Sequence, residues 1–232
     1  MIRLADVGVV IPPIRRGDDA KVLLTGVNLV LAERRVAVIG ANGSGKSTLL
    51  RLLNGMRRPT SGTVTVNGLD TVRDAAKVRR EVGFIFTDPL SQLLMSTPLE
   101  DLTLSLGHLP RRERNPRAQR ILDERGLGHL AHQSIYDLSG GERQLVALAS
   151  VLAVEPRVVV ADEPTTLLDL RNKLALQRTF DQLEQQLIYS THDMTVASRA
   201  DRVLVVDGGE IAADGEPGEA IAWYEAAMGV RE

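Results

Sequence analysis

The sequence predicts an α/β fold built on a doubly wound sheet, and three observations predict it. A glycine-rich stretch, Gly40-Ala41-Asn42-Gly43-Ser44-Gly45-Lys46-Ser47-Thr48, lies between a strand-like run, Val36 to Ile39, and a helix-like run, Leu49 to Leu53. Strand-like and helix-like segments alternate through the second half of the chain, the order that places helices on both faces of a parallel sheet. Val158-Val159-Val160-Ala161 is a continuous apolar run, the pattern of a parallel strand buried on both faces.

The elements follow from local chemistry. Val22 to Leu31, Arg35 to Ile39, Thr63 to Val66 and Val82 to Phe86 are rich in β-branched and aliphatic residues and read as strands. Pro59-Thr60-Ser61-Gly62 and Asn67-Gly68 supply turns between them. From about 90 to 141 the β-branched runs disappear, and Pro116 to Arg125 reads as a charged amphipathic helix. This segment is expected to form a helical lobe inserted into one domain spanning 1–232, whose core comprises 1–89 and 142–232. Helices are expected over Glu142 to Val154, Leu170 to Gln186 and Ala220 to Met228, and strands over Leu187 to Ser190 and Asp201 to Asp207. Gly208-Gly209 reads as a hairpin turn.

Composition narrows the function classes. A chain of 232 residues suits one large domain with a real core. Hydrophobic residues at 44%, charged residues at 25% and a net charge of −2 are those of a globular protein, not of a disordered or nucleic-acid-coating one. Cysteine is absent, which excludes disulfides and thiolate metal sites. The longest uncharged stretches, such as Leu145 to Val154, fall short of the ~20 residues a membrane span needs. Met1 to Asp6 has no secretory character, so a cytoplasmic location is the expectation.

The glycine-rich stretch has the spacing of a phosphate-binding loop. Gly40, Gly43 and Gly45 let backbone N–H groups curl round a polyphosphate, Asn42 and Ser44 complete the curl, and the following helix N-terminus adds positive potential. Lys46 is placed to reach the β- and γ-phosphates, Ser47 to bind Mg²⁺, and Thr48 to open the helix. Asp162 and Glu163 end the buried strand, where one carboxylate would hold Mg²⁺ through water and the other polarise an attacking water. Asp162 is assigned to the metal and Glu163 to the general base.

A further segment, Leu138-Ser139-Gly140-Gly141-Glu142-Arg143-Gln144, resembles the signature of the ATP-binding cassette family without a mismatch. Asp162-Glu163-Pro164-Thr165, Leu167-Leu168-Asp169 and Thr191-His192-Asp193 follow in the family's order. The resemblance covers nearly the whole chain. It implies a P-loop NTPase with a mixed-sheet core, hydrolysing ATP with Mg²⁺ in a head-to-tail dimer with a second copy or a homologous ATPase. In that dimer Ser139, Gly140, Gly141 and Glu142 of one subunit would cap the ATP held by the other. His192 would contact the γ-phosphate and hold the water in line. His108, His129 and His132 lack such context and read as surface residues.

Two departures stand out. Family members usually carry glutamine where this chain has Thr87, which still offers one oxygen but on a shorter side chain. The family also stacks an N-terminal aromatic on adenine, whereas Val7 to Ile14 contains none. Val10 or Ile11 would pack on the base instead, with weaker base discrimination. Three roles compete: a transporter motor, a soluble cassette acting on DNA or ribosomes, and a weakly hydrolysing regulator. The chain lacks the long coiled coils or paired cassettes of the second, and no nucleic-acid partner is expected. It retains the Lys46, Asp162, Glu163 and His192 that the third would lack.

Thr87-Asp88-Pro89-Leu90-Ser91-Gln92-Leu93 looks like the energy-coupling factor group, in which Gln92 falls beside the groove for a transmembrane coupling protein. The competing reading makes Gln92 a solvent-exposed helix residue. The group imports vitamins or transition metals through a small substrate-binding membrane protein, with the ATPase peripheral on the cytoplasmic face. A short C-terminus and Phe86-Thr87-Asp88-Pro89 tilt the expected cargo to biotin, with cobalt or nickel next.

Overall fold

The structure is a computed structural model that describes residues 1–13 and 19–229. In chain order its first elements are β1 (Ile2–Ile11), β2 (Lys21–Leu31), β3 (Arg35–Ile39), α1 (Lys46–Leu53), β4 (Ser61–Val66), β5 (Leu69–Asp70), α2 (Ala75–Glu81) and β6 (Val82–Ile85). Then come α3 (Pro98–Ser105), α4 (Arg111–Glu124), α5 (Gly140–Leu152), β7 (Val158–Ala161), α6 (Leu170–Gln182) and β8 (Gln186–Ser190). The last are α7 (Met194–Ala197), β9 (Arg202–Asp207), β10 (Glu210–Gly215) and α8 (Pro217–Gly229).

Two sheets carry these strands. One is antiparallel, in the order β2-β1-β4-β5; the other runs β10-β9-β3-β8-β7-β6. In the second sheet β9, β3, β8, β7 and β6 are parallel, and β10 is antiparallel to β9. The sheet is therefore mixed. Val36 and Val38 on β3 face a core shared with the antiparallel sheet and α1, while Ala37 and Ile39 face a second core built with Leu176 and Phe180 of α6. This is the two-residue alternation of a strand buried on both sides. Leu102, Leu106, Ile121 and Leu122 of the middle segment form a third cluster with Val146 and Ala149 of α5. Helix α5 joins the second and third clusters, because its Leu148 faces the core of α6.

Differences from the sequence expectations have local causes. The strand β1 was not expected, because its alternation breaks. Its register with β2 shifts between Leu4 and Val7, and Asp6 adopts φ 50°. The bulge puts Ile2, Leu4, Val7 and Val9 on the core despite their irregular spacing. Opposite it, Gly62 has φ 73°, and a Cβ there would lie 2.2 Å from the Asp6 carbonyl oxygen. Helix α4 begins at Arg111, not Pro116, which sits in its second turn and frees the carbonyl of the exposed Arg112. Helix α6 stops at Gln182, not Gln186, since Arg35 takes the carbonyls of Phe180 and Leu183. Gln186 then pairs with Val158 as the first residue of β8.

Asn67-Gly68 and Gly208-Gly209 make the expected tight turns, all four residues having positive φ. Among the described residues, no helix is long and apolar enough to cross a membrane.

Candidate functional site

The site grows from the C-terminal ends of three adjacent parallel strands. β3 leads into the glycine-rich loop, β7 into Asp162 and Glu163, and β8 into Thr191 and His192. In parallel sheets this edge collects loops and helix N-termini, which suits it to bind ligands. Gly40, Gly43 and Gly45 have φ of 144°, 79° and 118°, in the region other residues avoid. At Gly40 a Cβ would lie 2.1 Å from the Val206 carbonyl oxygen, so space as well as torsion demands glycine there.

Helix α1 starts at Lys46 behind Gly45, which has no side chain to cap the first turn. The buried Lys46 Nζ donates to the Gly40 and Ala41 carbonyls at 2.8 and 3.0 Å. Burial pushes its pKa below the ordinary lysine value, opposed by the charges of Glu163 and Asp162.

Ser47 Oγ donates to Asp162 Oδ1 at 2.9 Å, which joins the two predicted metal-side residues. Asp162 is buried, and Arg51 Nη2 stands 3.9 Å from its Oδ2. Glu163 has φ 48°, a left-handed conformation that turns its side chain back over the loop. There Oε1 lies 4.0 Å from Lys46 Nζ and 2.9 Å from His192 Nε2. Oε1 is buried yet accepts no well-formed hydrogen bond, and Ser44 Oγ in the loop is likewise buried without a partner.

Asn42, Gly43, Gly45, Lys46, Ser47 and Thr48 line a cavity of about 220 Å³ together with Glu163 and His192. An uncapped helix N-terminus, a lysine turned on its own loop and the orphaned Glu163 oxygen are what a polyphosphate and its attacking water would satisfy. The donor set therefore fits a nucleotide.

Ser139, Gly140, Gly141 and Glu142 do not line this cavity. They begin α5, where Ser139 Oγ accepts from the Glu142 N–H at 3.3 Å and the Glu142 carboxylate accepts from the Ser139 N–H at 2.8 Å. The Ser139 hydroxyl also donates to Glu142 at 2.7 Å. These donors hold the Glu142 carboxyl below the usual glutamate range, the hydroxyl bond first. Gly141 faces α6: a Cβ there would lie 2.0 Å from the Asn172 side chain.

The departures from the motif also find places. Thr87 Oγ1 donates to the Asp162 carbonyl at 2.7 Å, so its hydroxyl braces the strand end. Gln92 is half-buried, not solvent-exposed. Its Oε1 accepts from Phe86 N–H at 3.3 Å and its Nε2 donates to the Ala147 carbonyl at 3.0 Å. It lines a groove of about 320 Å³ with Met56, Phe86, Leu94 and Leu104.

Val10 and Ile11 do not reach the phosphate-loop cavity. Lys21 and Leu23 of β2 form its wall instead, and Ile14 lies outside the described residues. His108, His129 and His132 are exposed, as expected. The sequence reading missed Ser190, whose Oγ donates to Asp162 Oδ1 at 2.9 Å and accepts from the Glu163 N–H at 2.9 Å. A serine at a strand end gave no signal of its own.

The ABC transporter family model matches residues 24–166. A Bartonella quintana protein named as an ABC transporter ATP-binding protein is 46% identical over 204 residues, 87% of this chain and 90% of its own length. The biotin transport ATP-binding protein BioM of Rhizobium etli is 41% identical over 207 residues, 88% of this chain and 92% of that one. An energy-coupling factor transporter ATP-binding protein of Halalkalibacterium halodurans is 41% identical over 197 residues, 82% of this chain and 70% of that one.

Among solved structures, a dimeric post-hydrolysis ATP-binding cassette bound to ADP and Pi superposes with a TM-score of 0.80 at 29% identity, covering 94% of this chain and 99% of its own. The cbiO1 protein of Clostridium perfringens, part of the ABC transporter complex cbiONQ, gives 0.79 at 29% identity, covering 99% and 93%.

Proposed function

Because the chain belongs to the ABC transporter family and is an ATP-hydrolysing subunit of it, we propose that it is the dimeric motor of an energy-coupling factor importer, with biotin as its cargo. The observation that carries the motor assignment is the convergence of Lys46, Ser47, Asp162, Glu163 and His192 on one cavity edge.

Ser47 and Asp162 would hold Mg²⁺. Among the described residues no three acidic, histidine or cysteine side chains are arranged to hold a metal ion by themselves, so a hard cation here would take its remaining oxygens from phosphate and water. When bound, Mg²⁺ neutralises charge on the β- and γ-phosphates. Lys46 turns from its loop carbonyls to those phosphates. Glu163 Oε1 receives the proton of the attacking water, and His192, beside it, holds that water in line. Ser139 and the N–H groups of Gly140 and Gly141, from a second copy, face the γ-phosphate across the dimer. The Ser139 hydroxyl must leave Glu142 to do so.

The groove beside Gln92 supports docking of a transmembrane coupling protein. It is apolar, Leu94 on its rim is 76% exposed, and Gln92 ties its wall to Phe86, next to Thr87. Docked there, the chain would sit peripherally on the cytoplasmic face of the membrane. Similarity to BioM across most of both chains supports biotin.

Two measurements test the proposal. Purification of the tagged chain from its native membranes should recover a coupling protein and a small substrate-binding membrane protein; soluble or ribosomal partners alone would overturn the importer reading. Cells whose chromosomal copy carries Glu163→Gln should lose biotin uptake. Loss of cobalt or nickel uptake with biotin uptake intact would reassign the cargo.

A further inference from the structure

We infer that Ser190 is a positioning residue for hydrolysis: its hydroxyl ties Asp162 to the backbone of Glu163, so that the metal-side carboxylate and the general base are held as one unit. The inference rests on the site assignment above and deepens it.

Ser190 ends β8 and is fully buried, with 0% of its surface exposed. A hydroxyl has one proton to donate and lone pairs to accept. Here the proton goes to Asp162 Oδ1 at 2.9 Å, and a lone pair takes the Glu163 N–H at 2.9 Å. The β7–β8 register ends where Ala161 faces Tyr189. Ser190 continues the cross-link one residue beyond, with a side chain in place of a backbone rung. An alanine there would hold neither group.

Two consequences follow from these bonds. Asp162 Oδ1 receives one hydroxyl from Ser47 and another from Ser190, which fixes the plane of the carboxylate. Glu163 is held at φ 48°, a conformation non-glycine residues keep only when their surroundings impose it. Its N–H is fixed by Ser190, and its carbonyl accepts from Thr166 N–H at 3.2 Å. That turn brings Oε1 to His192 and Lys46. Ser190 thus sets the base without lining the nucleotide cavity.

The test compares Ser190→Ala with Ser190→Thr, which keeps a hydroxyl on Cβ. Turnover is measured in the wild-type background, and Mg²⁺-dependent binding of a fluorescent ATP analogue is measured in the non-hydrolysing Glu163→Gln background. Loss of a partner that orients a metal ligand costs about 10- to 100-fold in affinity or activity. S190A should therefore lower kcat at least about tenfold with little change in KM for ATP, and raise the Mg²⁺ concentration for half-maximal binding by a similar factor. S190T should recover most of both.

An S190A chain within about twofold of wild type in both readouts overturns the inference, since a partner of this kind is worth at least about tenfold. So does an S190T as impaired as S190A, which would assign the loss to packing in β8. If E163Q leaves wild-type turnover intact, the failure lies with the assignment of the base itself.

Discussion

Glu163 is the residue on which the chemistry turns. Its buried Oε1 lacks a well-formed hydrogen bond, a costly state for a carboxylate oxygen unless a ligand or water completes it. Glu163→Gln keeps the shape and removes the base, so ATP turnover should fall by about 100-fold or more while nucleotide still binds. A single-turnover assay beside a binding titration separates the two. Asp101 makes a second residue-scale case, away from the cavity. It is buried, and its carboxylate accepts from Leu94 N–H at 2.8 Å and Ser150 Oγ at 2.8 Å. Asp101→Ala orphans both donors and should cost about 1–3 kcal/mol, read as a lower midpoint in urea. Lys21 and Leu23, which wall the phosphate-loop cavity, offer no ring to stack on adenine. ATP and GTP should accordingly bind within about tenfold of one another, a gap of ~1.4 kcal/mol, in competition titrations.

Elements show how much of this was legible in the sequence. The phosphate loop and the strand before Asp162 were readable because each rests on local chemistry, glycine torsions and an unbroken apolar run, whereas α5 was expected from Glu142 and begins two residues earlier, at Gly140, behind the Ser139 cap. The strand β1 was not readable, because a bulge at Asp6 broke the alternation on which strands are recognised. Nor could sequence alone show Ser190 bridging Asp162 and Glu163, since that bond spans two strands distant in the chain.

The capping box at α5 also makes a pH prediction. Glu142 has a lowered pKa in the fold, so its contribution is present above the unfolded carboxyl value of about 4.5 and is lost as pH falls through the folded one. Amide protection in the first turn of α5, with the intrinsic pH dependence of exchange divided out, should therefore fall as acid is added below about pH 4.5. Glu142→Gln should flatten that limb of the profile.

At the scale of the whole molecule, the signature residues and the phosphate loop occupy different parts of one chain, and the cavity is walled without Ser139 to Glu142. The chain alone should be mainly monomeric. With ATP and Mg²⁺, the E163Q variant should accumulate as a dimer in sedimentation velocity, because closure proceeds and the step that reopens it does not. A tight dimer of the nucleotide-free wild type would contradict this.

Arg34 and Arg35 anchor one end of α6 to the start of β3: Arg34 donates to the Leu183 carbonyl at 2.6 Å and Arg35 to those of Phe180 at 2.9 Å and Gln185 at 2.9 Å. The other end begins at Asp169, behind the exposed Leu167 and Leu170. A 13-residue helix is about 20 Å long. Pivoting about that fixed foot by roughly ten degrees would sweep its free tip through about 3.5 Å, the width of one atomic layer. In such a pivot the helix would act as a crank, its bearing made of two guanidinium groups and its throw set by its length. Arg35→Ala frees the Phe180 and Gln185 carbonyls and should leave nucleotide affinity intact in a binding titration while speeding amide exchange at the C-terminal end of α6.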